Sequence, residues 1–255
     1  IRRQRQMCIR DSGQLEDNYF QSSVIDFDKD RSDRSTYKLL GGSIGFYGST
    51  LNTRQYATKG YLEKLIAQVF TGRERFEPGN PQEGYSPSPQ ERQSWLQISY
   101  MKEAYHTMGP KFTLGWMAEA LYSSKNFSEN YTATMMQAGE FAPTPHSKLM
   151  YNEAFRANQY VAAGIKPIYV LNDMFQFRTE FYGFTPIFPI KKNALNKAYY
   201  GKAFSRFEYM GEVSVICHLP FGAISAYVNH YSSPRREWNV GMTIGWQLFN
   251  YRFVE

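Results

Sequence analysis

The stretch that decides the fold is Trp238 to Leu248, which reads Trp-Asn-Val-Gly-Met-Thr-Ile-Gly-Trp-Gln-Leu. Apolar residues alternate in it with small or polar ones, and a period of two is typical of a β-strand. Eleven residues is about the length that a tilted strand needs to cross a bilayer. Trp238 and Trp246 stand near the two ends of the apolar face, where the two membrane interfaces would lie. The stretch therefore predicts a transmembrane β-strand.

The same alternation recurs along the chain. On the segment 174–184, Phe175, Phe177 and Phe181 fall on one face and Arg178 and Glu180 on the other. Further alternating segments are 37–47, 61–70, 95–104, 111–122, 160–170, 206–219 and 222–231. The segment 61–70 also fits a helical stripe, so its type stays open at this point. The pattern predicts about ten strands and no long helix.

The composition agrees with a membrane barrel. Aromatic residues make up 17% of the chain, with 20 Tyr and 19 Phe, and such residues form the interfacial girdles of barrels. The mean hydropathy of −0.53 and the absence of a run of about 18 apolar residues exclude helical membrane spans. We predict an all-β fold: a partial antiparallel transmembrane β-barrel. The alternative is a soluble aromatic-rich β-sandwich or small barrel that binds glycans or lipids.

Residues 1–14 are set apart from residues 15–255, because 1–12 resembles translated sequencing-adapter read-through. Without 1–12 the chain keeps 25 of its 29 Lys and Arg residues and 22 of its 23 Asp and Glu residues, so the net charge falls from +6 to +3. This balance predicts no nucleic-acid partner. One cysteine, Cys217, then remains, which gives neither a disulfide framework nor a metal-ligand cluster.

Several separated blocks resemble one family. They are 141–148 with 152–160, then 209–222, then the ending 238–255. In this order they resemble the barrel domain of patatin-like phospholipases from Bacteroidetes-type bacteria, within the bacterial surface-antigen (BamA-like) superfamily. The resemblance covers residues 15–255.

The resemblance implies a parent protein in which a patatin lipase precedes a small linker domain and a barrel of about 16 strands. The present chain would be the C-terminal part of that barrel in the bacterial outer membrane. It would anchor or translocate a lipid acyl hydrolase and carry no catalysis itself. The implied partners are outer-membrane lipids, lipopolysaccharide, the barrel-assembly machinery and a homodimer partner. The alternative within the superfamily is an assembly or translocation barrel without a lipase.

The order of loops gives a second expectation. Short turns at 171–173 and 220–222 alternate with longer loops, which is typical of outer-membrane barrels. In the superfamily a long inward loop precedes the last five strands, and here an excursion over 139–158 precedes five candidate strands. Arg156 is its candidate inward residue, although the superfamily's Arg-Gly-aromatic tip is absent. The basic loop 191–202 is expected to be a solvated surface loop; the alternative is a loop that contacts lipid A phosphates or anionic headgroups.

Candidate site residues follow from the polar faces of the strands. Five charged residues are predicted to line the lumen, namely Arg178, Glu180, Arg206, Glu208 and Glu212. Trp116, Trp238 and Trp246 are predicted to lie at the membrane interfaces. The segment 41–45 matches the G-x-S-x-G nucleophile elbow, but strand follows it where a helix is required. The four scattered His residues show no ligand spacing, so we predict no catalytic, cofactor or metal site in this chain.

Overall fold

The computed structural model describes residues 2–20, 31–53, 55–80, 92–220, 222–233 and 238–246. The fold is all-β, as predicted. The elements are β1 (Arg2–Tyr19), β2 (Asp33–Ser49), β3 (Gly60–Glu77), β4 (Arg92–Thr107), β5 (Phe112–Ser123), α1 (Tyr131–Gln137), β6 (Gly139–Glu140), β7 (Arg156–Ala157), β8 (Gln159–Val170), β9 (Phe175–Pro186), β10 (Ile190–Lys192), β11 (Ala198–Tyr200), β12 (Glu208–Leu219), β13 (Gly222–Tyr231) and β14 (Trp238–Trp246). A 3₁₀ turn, Glu153–Phe155, precedes β7.

Ten of these strands form a single antiparallel sheet. Its order is β1-β2-β3-β4-β5-β8-β9-β12-β13-β14, so every neighbour in space is the next long strand along the chain. The predicted number of strands is therefore confirmed, and the last five lie within two residues of the predicted starts. Residues 61–70 belong to strand β3, which resolves the ambiguity between helix and strand. Residues 2–14, which the sequence analysis set apart, pair with β2 as part of β1.

Glycines opposite aromatic side chains recur along the ladders. Tyr105 pairs with Gly115 and Tyr182 pairs with Gly164. A Cβ atom added at Gly164 would lie 2.1 Å from the ring of Tyr182, so the ring occupies the space above the glycine. Gly41, within the G-x-S-x-G segment, lies in the same way under the ring of Phe70, in the middle of β2. The segment 41–45 is thus continuous strand, paired on both sides by β1 and β3.

The sheet curls toward one of its faces. In the connector 50–59, the hydroxyl oxygens of Tyr56 and Ser225 lie 2.7 Å apart, although Tyr56 precedes β3 and Ser225 is on β13. Strands β3 and β13 are six steps apart in the sheet, or roughly 29 Å if it were flat. A ten-residue connector that leaves β2 and returns to β3 can extend at most about 17 Å from these two strands. The sheet must therefore bend to bring the two strands together.

Among the described strands, β1 and β14 share no ladder, so both remain edges of the curled sheet. The connections fall into two groups at opposite ends of the strands. One end, the short-turn end, has the connections 50–59, 108–111, 171–174 and 220–221. The other, the long-loop end, has 20–32, 78–91, 124–158, 187–207 and 232–237. The expected alternation holds for 108–111, 171–174 and 220–221, but the connection 50–59, with ten residues, is longer than 232–237, with six.

Candidate functional site

The two faces of the sheet differ in what covers them. We call the concave face, against which the excursion 139–158 and the connector 50–59 pack, the covered face, and the opposite one the open face. On β9, Arg178 and Glu180 are on the covered face and are 3% and 7% exposed. Phe177 and Phe181, on the open face, are 46% and 49% exposed. This polarity is the reverse of a water-soluble protein, where charges stay hydrated and large apolar side chains are buried.

The reversal extends across the last strands of the sheet. Lys166 on β8 and Glu212 on β12 are each 4% exposed, while Val213 is 54% and Val240 is 81% exposed. Cross-strand pairing places six open-face residues in one continuous row, which are Phe112, Tyr169, Phe177, Val215, Ala226 and Met242. A contiguous apolar surface of this extent is typical of a face that contacts another protein or a membrane.

Aromatic side chains on the open face concentrate toward the two ends of the strands. At the long-loop end, ring centroids are 5.9 Å apart for Phe181 and Tyr209, and 6.1 Å apart for Tyr209 and His230. The chain of rings continues to Trp238, 4.9 Å from His230. Toward the short-turn end, Phe112 pairs with Tyr169. Aliphatic residues lie between these groups, including the paired Val213, Val228 and Val240. Barrels that cross membranes carry an apolar band flanked by aromatic girdles.

A network of charged side chains crosses the covered face. The Nζ atom of Lys166 lies 2.8 Å from Oε2 of Glu103, and Nε of Arg178 lies 2.5 Å from Oε1 of Glu180. Tyr105 joins the two pairs, because its hydroxyl donates to Glu103 and accepts a bond of 2.7 Å from Arg178. The Tyr182 hydroxyl donates to the other oxygen of Glu180. Buried charges are tolerated when each is paired and hydrogen-bonded in this way.

Polar atoms beside this network are not all satisfied by the protein. Glu212 lies directly between Glu180 and Asn229 in the ladder. Glu212 Oε2, Ser214 Oγ and both side-chain polar atoms of Asn229 have no partner among the described residues. Buried polar groups without protein partners are commonly hydrated. This part of the covered face is therefore suited to border water.

The excursion packs on the covered face through aromatic residues. Phe141 and Phe155, each 1% exposed, contact Phe184 at centroid distances of 5.9 and 5.7 Å. Nδ1 of His146, in the first half of the excursion, lies 2.8 Å from the Tyr231 hydroxyl on β13. Burial lowers the pKa of His146. The excursion is thus fixed to the concave side of the sheet.

Arg156, which belongs to the excursion, caps the C-terminus of the short helix α1. Its Nη1 donates to the carbonyl oxygens of Met136 and Ala138 at 2.9 and 3.3 Å, and its Nη2 lies 2.6 Å from Glu140. A cation at a helix C-terminus satisfies carbonyls that have no partner within the helix. The geometry gives Arg156 a role in holding α1 and the excursion together.

The structure places the other predicted site residues as follows. Arg206 pairs with Glu208 at 3.0 Å at the entrance to β12, and donates to the carbonyl of Ala154 in the excursion. Trp116 lies on the open face and its Nε1 contacts His106 at 3.4 Å. Trp238 is 72% exposed on the same face. Trp246 ends β14, and its side chain lies outside the described residues.

Two members of the charged network were not selected from the sequence, Lys166 and Glu103. Lys166 is on the same side of β8 as the buried Tyr160 and Ala162, because even spacing in a strand puts residues on one face. The alternation alone therefore predicts Lys166 on the covered face. Its partner Glu103 lies on β4, beyond β5 in the sheet, and contacts of this kind depend on curvature. Sequence alternation carries no signal for that contact.

Comparisons with known proteins add no further assignment: no protein-family model, curated protein or solved structure matches the chain. No described helix is long and apolar enough to cross a membrane. Within the described part of the chain, no group of three or more His, Cys, Asp or Glu side chains is arranged to hold a metal ion.

Proposed function

We propose that this chain is the C-terminal part of an outer-membrane β-barrel whose open face meets lipid hydrocarbon. The reversed polarity of the sheet is the observation that carries the proposal. Burying Arg178 and Glu180 while exposing Phe177 and Phe181 is unfavourable in water. In a bilayer the same arrangement is favourable, because the apolar face is solvated by acyl chains and the charges are paired on the opposite face, away from hydrocarbon.

The edges of the sheet support the same proposal. Strands β1 and β14 leave rows of backbone donors and acceptors unpaired among the described residues. In hydrocarbon each such group costs several kcal/mol, so only a closed barrel is stable there. Further strands from the same or another chain would complete the closure, in keeping with a barrel of about 16 strands.

The soluble-sandwich alternative fits the structure less well. A sandwich buries the apolar faces of two sheets against each other. Here the described long strands form one sheet, and its apolar face is the uncovered one.

The cargo of the barrel is proposed from the family resemblance alone: a patatin-like lipid acyl hydrolase upstream, which this domain anchors or translocates. The alternative, an assembly or translocation barrel without a lipase, shares the same sheet. Sequencing the source DNA across residues 1–15 separates the two. We expect an upstream frame that encodes a strand, a G-x-S-x-G turn and a helix, with an Asp-Gly partner. An upstream frame with linker domains alone would overturn the lipase proposal.

Membrane insertion is tested by reconstituting the chain, together with the upstream strands recovered from the source DNA, into phosphatidylcholine vesicles and washing them with alkaline carbonate. We expect the chain to stay with the lipid. A variant with Phe177→Glu, Val215→Glu and Met242→Glu, all in one open-face row, should be extracted. The matched control introduces Glu at Gln93, Gln97 and Asn239, where the chain already has polar side chains. Complete extraction of the unmodified chain would overturn the proposal.

A further inference from the structure

Positive charge is concentrated in one connection at the long-loop end of the strands. The segment 187–207 contains four Lys and one Arg residue and no Asp or Glu. The neighbouring segment 124–158 carries three basic and three acidic residues. The first segment therefore has a net charge of +5, and the second has none.

This connection is held in a defined position. Its hairpin, β10 with β11, packs on α1 through Ile190, which is buried beside Met135. The backbone N–H of Tyr131 donates to the carbonyl of Asn196 at 2.8 Å, and the Asn158 side chain donates to the Tyr200 hydroxyl at 3.0 Å. The hairpin is therefore a fixed platform, and its exposed side chains project from a rigid base.

Three lysines of this connection are exposed, and among the described residues none of them forms an ion pair. They are Lys191, Lys192 and Lys202. Lys197 differs, because its Nζ lies 3.8 Å from Glu129. The Lys191 side chain passes close to Gly201, the residue before Lys202. Three exposed positive charges in one connection, without counter-ions among the described residues, favour the binding of an anion.

Two exposed phenylalanines follow Lys202 in the same connection. Phe204 and Phe207 are 62% and 64% exposed. Phe207 lies over Gly183, where an added Cβ atom would be 3.0 Å from its ring. Gly183 is two residues after Phe181 on β9, so both are on the open face. Phe204 has a φ of 51°, in the left-handed region, and its N–H donates to the carbonyl of Ile187 at 2.9 Å. Holding a bulky residue there costs about 1–2 kcal/mol, which points to a function for its outward position.

We propose that Lys191, Lys192, Lys202, Phe204 and Phe207, together the basic rim, bind the phosphate groups of an anionic glycolipid in the outer leaflet. The proposal rests on the membrane insertion proposed above. Phenylalanines at the edge of the open face would lie at the interface, and lysine side chains would extend from it to the headgroups. Charge complementarity selects a phosphorylated lipid over a zwitterionic one.

The experiment compares vesicles of phosphatidylcholine alone with vesicles that also contain bis-phosphorylated lipid A. We expect the chain to prefer the second kind. In the variant Lys191→Gln, Lys192→Gln, Lys202→Gln, that preference should fall on the order of 100-fold, at about 1 kcal/mol for each lysine near the surface. The matched control, Lys38→Gln, Lys59→Gln, Lys111→Gln, removes the same charge elsewhere and should keep the preference.

The outcomes separate this inference from the proposed function. If the chain resists carbonate extraction from both kinds of vesicle but shows no preference for lipid A, the proposal that the basic rim binds lipid A is wrong, while the proposal of membrane insertion stands. If the control loses the preference as much as the triple variant, net charge explains the binding and the basic rim is also wrong. If the chain is extracted from both kinds of vesicle, the proposed function fails, and the inference fails with it.

A second variant tests the aromatic part of the basic rim. Phe204→Gly removes the unfavourable backbone conformation, so resistance of the detergent-solubilised chain to urea should be unchanged or higher. Its affinity for lipid A vesicles should nevertheless fall at least about tenfold, because an interfacial phenyl ring is lost. Unchanged vesicle affinity would remove Phe204 from the proposal.

Discussion

Neighbouring residues of strand β9 show two opposite environments. Arg178 and Glu180 lie on the covered face, paired at 2.5 Å and almost fully buried. Phe177 and Phe181 lie one residue to either side, on the open face, and are about half exposed. A single strand thus presents two opposite faces, one with paired and buried charges and one with exposed large apolar side chains. The two faces should respond in opposite ways to substitution.

The largest effect is expected on the covered face. Glu180→Gln leaves the Arg178 guanidinium buried without a counter-charge, which should lower the free energy of unfolding by about 3–5 kcal/mol. Urea denaturation of the detergent-solubilised chain measures this loss of unfolding free energy. The double variant Arg178→Met, Glu180→Leu removes both charges and should recover most of the loss, while Thr179→Ala, one residue away, should have little effect. An equal loss in the double and single variants would show that the pair is not the cause.

The next effect concerns the open face. Val213 lies in the aliphatic band, paired with Thr179 and Val228. Val213→Arg should cost about 2–4 kcal/mol of unfolding free energy in lipid vesicles, because it places a charge in hydrocarbon. Lys64→Arg, which keeps an existing charge, is the control. A substitution without cost in vesicles would contradict a lipid-facing surface.

A smaller effect is expected where the ladders bring aromatic rings over glycines. Gly164→Ala would place a methyl group 2.1 Å from the Tyr182 ring, which also holds Glu180. Displacing this ring should cost about 1–3 kcal/mol by overpacking. Gly42→Ala, on β2 with open space at its Cβ position, is the matched control and should be close to neutral or stabilising. Equal costs in both variants would remove the ring from the explanation.

The alternation of residues predicted which strands exist and which side chains share a face, but not which side chains meet across the sheet. The predicted strand 206–219 begins at Glu208, and its Glu212 and Ser214 are buried on the polar face. The contact of Lys166 with Glu103 depends on curvature and register, which single-strand patterns do not encode. Helix α1 was not predicted either, because seven residues are too few to show a helical period, although Asn130 is a typical N-cap.

The smallest predicted effect lies outside the strands. Lys125, in the connection before α1, lies 5.0 and 5.2 Å from the rings of Trp95 and Tyr37, and burial lowers its pKa to about 8. Above pH 8 the folded state loses this proton while the unfolded state still binds it, so stability should rise with pH. We expect a gain of about 1 kcal/mol in unfolding free energy between pH 8 and 9. The variant Lys125→Met should lack this gain; an equal gain in both proteins would assign it to another group.

The central claim is that the open face of the sheet meets hydrocarbon while the covered face is shielded from it. Single cysteines for spin labels are placed at 212, 213, 214 and 215 on β12, after replacement of Cys8 and Cys217 by Ser. In vesicles, paramagnetic accessibility is measured with oxygen, which partitions into lipid, and with a water-soluble nickel complex. We expect a period of two: labels at 213 and 215 favour oxygen, whereas labels at 212 and 214, where the native side chains are 4% and 2% exposed, collide less with both reagents. Labels at 213 and 215 that favour nickel would contradict the central claim.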